Sequence, residues 1–246
     1  MTKIPIHGFN NLTKNLSFSL YKLHYLNDKQ AHRDYNGYIN KLFCADNLTE
    51  LLTNLCHAIG GNVLNIAKQD YQPQGASVTL MISEDALPES LVAHLDKSHL
   101  CIHTYPEESP QDGVAIFRAD IELSTCGVIS PLKVVNYIIE EFETDVADID
   151  YRIRGMTRDS HGRKLFIDEK IENISEYFSP NLFANFQVVN HNFYAQGLFH
   201  SKLCIKEVQL GRYLFGCKKN DLSELQQDNI QIQIHREIQQ LFANNN

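Results

Sequence analysis

The chain has 246 residues, of which 43% are hydrophobic and 21% charged, and its formal net charge is −8 at pH 7. This is the composition of an ordinary globular protein that is long enough to bury a substantial core. An acidic balance without a basic run argues against nucleic acid or an anionic membrane as the main partner. The chain contains no apolar stretch long enough to span a bilayer and no secretory signal pattern, so we expect a cytoplasmic protein that is not bound to a membrane.

The first half of the chain is predicted to form a helix followed by two hairpins. Leucines recur at helical spacing in "DNLTELLTNLCHAIGG", where Asp46 or Asn47 can cap the helix and Gly60 can end it. The strands "NVLNIAKQDY" and "ASVTLMISE" flank the turn "QPQG", and "HLCIHTYPE" and "VAIFRADIELSTC" flank the loop "ESPQDG". In the last of these strands, apolar residues alternate with a polar set that includes Asp120 and Cys126, which predicts one buried and one polar face.

The second half is predicted to contain three further helices and three strands. "SPLKVVNYIIEEFETD" begins a helix with Ser130 as its cap, "IDEKIENISEYF" is a short helix, and "DLSELQQDNIQIQIHREIQQLF" is a closing amphipathic helix. "ADIDYRIRGMTR", "FQVVNHNFYAQG" and "LFHSKLCIKEVQ" have the pattern of strands. Hairpins mixed with a few helices indicate an α+β fold, a sandwich of largely antiparallel sheet with flanking helices, in a single domain over residues 1–246.

The stretch "HLDKSHLCIHTYPE" (94–107) is unusually rich in potential zinc ligands, namely His94, His99, Cys101 and His103. The last three would point to one side of a strand, but ligands two residues apart on an extended chain do not converge on a tetrahedral centre. The second ligand pair of a structural zinc site is also missing. A zinc module therefore remains only an alternative, and we predict no metal ligands here.

The second hairpin is expected to bring a serine and a cysteine close together. If its loop is centred near residue 110, Ser98 lies opposite about residue 122, within a few residues of Cys126. A serine, a histidine and a thiol can then meet on neighbouring strands.

These residues carry a resemblance to a known family. "KSHLCIHTYPE" followed by "STCGVISP", with "DYQPQGASVTLMISE" upstream, resembles the proenzymes of S-adenosylmethionine decarboxylase, in particular the long form of Gram-negative bacteria. The resemblance extends from "IHGFNNLTKNLSF" through "DYRIRGMTRD" and continues more weakly to the C-terminus. It implies pyruvoyl-dependent decarboxylation of S-adenosyl-L-methionine, which supplies the aminopropyl donor for spermidine synthesis.

The resemblance also implies that the chain cuts itself between Lys97 and Ser98. The Ser98 hydroxyl would attack the Lys97 carbonyl, and elimination from the resulting ester would leave a pyruvoyl group at position 98. This group would bind the substrate amine as a Schiff base and act as the electron sink for loss of carbon dioxide. Residues 1–97 would become the β chain and residues 98–246 the α chain.

Five other residues match roles in the family. His103 matches the base of the processing reaction, and Ser77 matches the serine that assists it. Cys126 matches the proton donor. A thiol suits this role because its ordinary pKa of about 8.5 leaves it protonated yet able to give up a proton around neutral pH. Tyr71 matches an aromatic ring that stacks on the adenine, and Glu107 matches the carboxylate that holds the ribose hydroxyls.

Strand alternation puts Ser98 and His103 on opposite faces, five residues apart. Either the chain kinks at the cut site, or the two residues meet only because cleavage frees residue 98.

Relative to the short members of the family, the chain has the insertion "DALPESLVAHLDK" before the serine and a C-terminal extension over residues 155–246. The family also implies self-association of αβ units as a dimer or tetramer, and magnesium as a candidate activator, for which we identify no carboxylate cluster. Other branches of the family place an acidic residue of the N-terminal segment near the substrate. Here no Asp or Glu precedes Asp28, so the resemblance does not identify the group that faces the substrate sulfonium.

Two alternatives remain open beside this interpretation. The same chemistry could act on another amino acid, such as arginine or ornithine, although the adenosine contacts would then be expected to be missing. A non-catalytic homologue would be expected to lack the processing serine, its base or the thiol, and all three are present.

Overall fold

The computed structural model describes residues 4–6, 10–84, 98–107, 110 and 112–244. The strands are β1 (Thr13–Leu26), β2 (Asn62–Asp70), β3 (Ala76–Ser83), β4 (His99–Pro106), β5 (Val114–Cys126), β6 (Val146–Arg154), β7 (Thr157–Arg158), β8 (Lys164–Leu165), β9 (Phe186–Phe193), β10 (Leu198–Ile205) and β11 (Leu214–Phe215). The α-helices are α1 (Lys29–Leu42), α2 (Ala45–Ile59), α3 (Val135–Glu141), α4 (Pro180–Asn185) and α5 (Glu224–Ala243). Short 3₁₀ helices cover Pro131–Val134, Ile174–Tyr177, Tyr194–Gln196, Leu210–Arg212 and Lys219–Asp221.

One large sheet organises the molecule, with the strand order β2-β3-β4-β5-β1-β6-β10-β9. Every neighbouring pair along this path is antiparallel, and the short β11 lies parallel to the end of β1. β1 is long enough to pair with β5 on one side and with β6 on the other. Its alternating apolar residues, among them Leu16, Phe18 and Leu20, are buried on one face of the sheet.

Helices cover the two faces of this sheet unequally. The buried residues of α1, α2 and α3 join the apolar face in one large core. On the opposite face, Ile230, Ile234 and Ile238 of α5 form a smaller cluster with Leu23 and Tyr213. Polar residues such as Ser19, His103 and Asp120 lie elsewhere on this second face. The predicted α+β class, with a largely antiparallel sheet and flanking helices, is confirmed.

The predicted hairpins β2–β3 and β4–β5 are present, and so is the helix α2, which ends at Gly60 with a φ of +93°. The expected cap of α2 was wrong, because Cys44 occupies that position and makes no side-chain capping bond. The predicted helix "IDEKIENISEYF" was also largely wrong, since only Ile174–Tyr177 form a 3₁₀ turn. Asp168 lies in this segment and is instead held in the core by an ion pair with Lys14, so a tertiary contact overrides the local helical pattern.

Among the helices of the described residues, none combines the length and the apolar character needed to cross a lipid bilayer.

Candidate functional site

Strands β3, β4 and β5 align the predicted site residues on the polar face of the sheet. His103 pairs directly with Ser77 on one side and with Asp120 on the other. Residues directly opposite one another in an antiparallel pair point to the same face, so these three side chains lie in one row. Ser19 of β1 continues the row and donates a hydrogen bond of 2.9 Å from its Oγ to Oδ1 of Asp120.

Ser98 and Cys126 meet at one end of this face, which we call the thiol end. The Ser98 Oγ lies 3.2 Å from the Cys126 Sγ, and Ser98 is only 5% exposed. His99 pairs with Ser124, so Ser98 follows on opposite Thr125 rather than the expected residue 122. The predicted approach of the serine to the cysteine is therefore confirmed with a different register. Lys97 and His94 lie outside the described residues.

A buried ion pair supports the backbone that follows Cys126. The Lys14 ammonium donates to the Gly127 carbonyl at 3.0 Å and to Oδ2 of Asp168 at 2.7 Å. Gly127 has a φ of +67°, a conformation that glycine adopts with little strain. The Asp168 carboxylate thus holds the lysine that fixes the turn beside the thiol.

Tyr71, Ser77, His103 and Glu107 lie at the other end of β3 and β4, which we call the histidine end. The Tyr71 hydroxyl donates to the Ser77 Oγ at 2.9 Å. Tyr71 is 40% exposed, so the residue is partly accessible from solvent. Glu107 accepts a hydrogen bond of 3.1 Å at Oε2 from the backbone N–H of Ile116, which fixes the carboxylate beside β5.

A tight turn holds Tyr71 in place. The Tyr71 N–H donates to the carbonyl of Gly75 at 2.8 Å, and the Gln74 amide donates to the carbonyl of Pro106 at 2.9 Å. Gly75 has a φ of +94°, and a Cβ there would lie 2.8 Å from the Thr104 carbonyl oxygen. Only glycine therefore fits between this turn and β4.

The two ends of the face are far apart within one chain. His103 follows Ser98 by five residues on a regular strand, which corresponds to about 17 Å. From His99 to Pro106, β4 pairs with β3 and with β5 without a register shift, so the strand itself is regular. A kink at the cut site stays a prediction, because Lys97 lies outside the described residues.

An acidic cavity of about 230 Å³ opens on the polar face between the two ends. The residues that line it include Cys101, His103, Asp120, Glu122, Asp148 and Asp150. Its carboxylates are partly paired, through Arg118–Asp120 at 3.2 Å, Lys202–Asp148 at 3.2 Å and His200–Asp150 at 2.8 Å.

Two titrating groups at this cavity have shifted pKa values. The hydrogen bond to Asp150 raises the pKa of His200 against the effect of its burial. Burial, with a contribution from Glu122, raises the pKa of the Cys101 thiol. An environment of this kind favours a cationic ligand.

The acidic residues of β6 were not identified from the sequence as site residues. Alternation along β5 did place Asp120 and Glu122 on the polar face, but only the pairing of β6 with β1 adds Asp148 and Asp150 to the same cavity. Within the described part of the chain, no three or more His, Cys, Asp or Glu side chains are grouped so as to hold a metal ion.

Comparisons with known proteins agree with the resemblance seen in the sequence. The family model described as S-adenosylmethionine decarboxylase matches residues 34–155. The chain is 46% identical to the S-adenosylmethionine decarboxylase proenzyme of Pseudoalteromonas translucida, over 99% of this chain and 96% of the relative. It is also 46% identical to the proenzyme of Salmonella arizonae, over 100% of this chain and 98% of the relative.

Among solved structures, the adenosylmethionine decarboxylase of Aquifex aeolicus matches with a TM-score of 0.37 and 17% identity, over 67% of this chain and 100% of that one. The family assignment rests on the sequence relatives, whose identity extends over the full length of the chain. The chain belongs to the S-adenosylmethionine decarboxylase family.

Proposed function

We propose that this protein is a self-processing decarboxylase of S-adenosyl-L-methionine, whose product serves as the aminopropyl donor for spermidine synthesis. The observation that supports it best is the contact of 3.2 Å between the Ser98 Oγ and the Cys126 Sγ in a chain of this family. A buried serine at the start of a strand, next to a thiol, suits both self-cleavage at Ser98 and later proton transfer at the same position. Cleavage would fall between Lys97 and Ser98.

The architecture explains how the two products would stay together. Residues 1–97 contribute β1, β2 and β3, and residues 98–246 contribute the other strands. β1 lies between β5 and β6, so the first product supplies a central strand to a sheet made mostly by the second. Separation of the products would break both ladders and open the core, so we treat residues 1–246 as one domain before and after cleavage.

The residues around Ser98 fit a pyruvoyl group formed from that serine. Such a group supplies a carbonyl that acts as an electron sink when carbon dioxide leaves. The burial of Ser98 keeps water away from position 98, and the Cys126 thiol can hold a proton at its Sγ within reach of a substrate bound there. At the histidine end, Tyr71 offers a ring face for adenine, and Glu107 offers a carboxylate for the ribose hydroxyls. The acidic cavity suits the sulfonium charge of the substrate.

We further propose that two copies of the chain complete each site. A base acts only when it lies within hydrogen-bonding reach of the proton that it removes, and His103 lies about 17 Å along β4 from Ser98 of its own chain. If two copies face each other across a two-fold axis with their β4 strands antiparallel, the thiol end of each copy lies against the histidine end of the other. Two equivalent sites are then completed. This arrangement fits the expectation of a dimer of αβ units, or of a tetramer built from such dimers.

Denaturing mass spectrometry and carbon dioxide release test the activity. We expect two chains, the larger beginning at residue 98 with a blocked N-terminus, and release of carbon dioxide from S-adenosylmethionine but not from arginine or ornithine. An intact chain that never cleaves would overturn the proposal. Release from ornithine or arginine alone would favour the alternative substrates.

Mixing two inactive variants tests the two-copy site. We expect neither Ser98→Ala nor His103→Ala to cleave alone. When the two are co-expressed in equal amounts, the His103→Ala chains in mixed dimers should cleave, which is about half of them for random pairing. Co-expression of His103→Ala with the double variant Ser98→Ala/His103→Ala is the control and should give no cleavage. Mixed dimers that form without cleavage would show that each site belongs to one chain.

A further inference from the structure

The turn that follows Cys126 is held by the carboxylate of Glu84, which has no role in the function proposed above. Oε1 of Glu84 accepts two backbone hydrogen bonds, from the N–H of Val128 at 2.9 Å and from the N–H of Ile129 at 3.1 Å. Both donors lie within three residues of the thiol. Hydrogen bonds to a charged acceptor are stronger than those between neutral groups.

The carboxylate also packs directly against the backbone of Gly127. A Cβ at Gly127 would lie 2.5 Å from Oε1 and 2.8 Å from Oε2 of Glu84, so a side chain at this position would displace the carboxylate. Lys14 donates to the carbonyl of the same glycine. The turn is therefore held by an anion on its N–H groups and by a cation on its carbonyl oxygen.

Glu84 stands where the strand next to Ser98 ends. It follows directly on β3, in which Met81 pairs with His99 and the Ile82 N–H donates to the Ser98 carbonyl at 3.2 Å. One side chain thus connects the end of β3, beside Ser98, to the end of β5, which carries Cys126.

We propose that Glu84 is a positioning residue that fixes the Cys126 thiol for proton transfer at position 98. This inference rests on the proposed function, because it assigns Glu84 a task only if Cys126 is the proton donor. Glu84 lies in the 1–97 product and Cys126 in the 98–246 product, so the contact crosses the cut and allows the first product to control the geometry of the second. Glu84 touches neither Ser98 nor the thiol through a hydrogen bond, and it acts through the turn.

The test compares Glu84→Ala with Glu84→Gln, which keeps an acceptor oxygen, and with Glu140→Ala, which removes an exposed glutamate from α3. Because Glu84 is exposed, the alanine variant should fold. We expect kcat per cleaved chain to fall about tenfold in Glu84→Ala, the size expected for the loss of hydrogen bonds from one side chain, with KM within about twofold of the parent value. Glu84→Gln should recover most of this loss, and Glu140→Ala should match the parent.

A second readout does not depend on the cleaved enzyme. In the Ser98→Ala background, hydrogen exchange of a peptide covering residues 127–130 and alkylation of Cys126 by iodoacetamide are followed by mass spectrometry. We expect the alanine variant to exchange the Val128 and Ile129 amides about tenfold faster and to alkylate Cys126 faster, with Cys101 as the internal reference.

Three outcomes would overturn the inference: an unchanged kcat in Glu84→Ala, unchanged amide exchange, or an equal loss in Glu84→Gln. If the alanine variant does not fold, Glu84→Asp, which keeps the charge and withdraws the oxygen, should lower kcat, and a parental kcat would overturn the inference equally. A parent protein that releases no carbon dioxide from S-adenosylmethionine contradicts the proposed function instead, so the two failures are distinguishable.

Discussion

Lys14 and Asp168 form an ion pair that joins β1 to the segment between β8 and the 3₁₀ helix Ile174–Tyr177. Their charged atoms lie 2.7 Å apart, and their side chains are 1% and 7% exposed. Replacing Lys14 with methionine would leave the Asp168 carboxylate buried without its cation, which costs about 3–5 kcal/mol for a buried pair. Oδ1 of Asp168 has no hydrogen-bond partner among the described residues, so no other contact at that oxygen compensates for the loss. The Gly127 carbonyl would also lose a donor, for about 1 kcal/mol more.

The double variant Lys14→Met/Asp168→Leu distinguishes the loss of the whole ion pair from the cost of leaving one buried charge unpaired. Since it removes both charges, we expect its free energy of unfolding to lie within about 2 kcal/mol of the parent, well above either single variant. Urea unfolding at pH 7 measures all four proteins in the Ser98→Ala background, so that a single chain unfolds, at one protein concentration. The more exposed pair Lys202–Asp148 is the control and should give a coupling energy below about 1 kcal/mol. Single losses at Lys14 and Asp168 that simply add in the double variant would refute the reasoning.

Three further predictions concern other parts of the molecule. Cys126→Ser should still cleave, but its turnover should fall at least about 100-fold, because a hydroxyl is a far weaker acid than a thiol; full-rate carbon dioxide release would exclude the proposed role. Burial, helped by Lys22, lowers the pKa of His24 to about 4, whereas the unfolded imidazole titrates near 6.5. The unfolded state therefore binds more protons between these values, and stability should fall as the pH drops through this window, by up to about 3 kcal/mol. The difference in unfolding free energy between the parent and His24→Gln, measured from pH 7 to pH 4, should follow this curve, and a pH-independent difference would contradict it. Ile234→Ala should lower the free energy of unfolding by about 2–4 kcal/mol, measured by thermal or urea unfolding, because Ile234 is fully buried on the inner face of α5. Ile232→Ala, at a 66% exposed position of the same helix, should change this free energy little.

Local pattern predicted the part of the fold that forms from neighbours in the sequence. The two hairpins β2–β3 and β4–β5 have turn formers between alternating strands, and α2 has apolar residues at helical spacing and a glycine at its end. Because the β4–β5 hairpin needs only its own loop to pair, the approach of Ser98 to Cys126 could be inferred before any long-range contact was known. Its register could not, since the position of the loop residues between the strands decides it.

Long-range pairing decided what the sequence pattern did not predict. β1 alternates as "LSFSLYKLHYL", but its place between β5 and β6 depends on partners about 100 or more residues away, so its central position was not expected. The acidic cavity has the same cause, because Asp148 and Asp150 join Asp120 only through β1. Asp168 was placed in a helix since its local pattern is helical, whereas a buried lysine from the first strand determines its conformation.

The proposed cut position would allow the chain to break beside its proposed active site without losing its fold. Ser98 is the last residue before β4 begins, and the pairs of β4 with β3 and β5 all lie at or beyond His99. Breaking the bond before Ser98 therefore removes no pair from these ladders, while the Ile82 N–H still has the carbonyl of residue 98 as its acceptor. The ends of β3, β4 and β5 lie together there, so strand pairing would keep Glu84, residue 98 and Cys126 in place after the proposed cleavage. A cut placed a few residues later would fall inside β4 and interrupt its pairing with β3 and β5. The pairing of the sheet therefore favours a cut before His99.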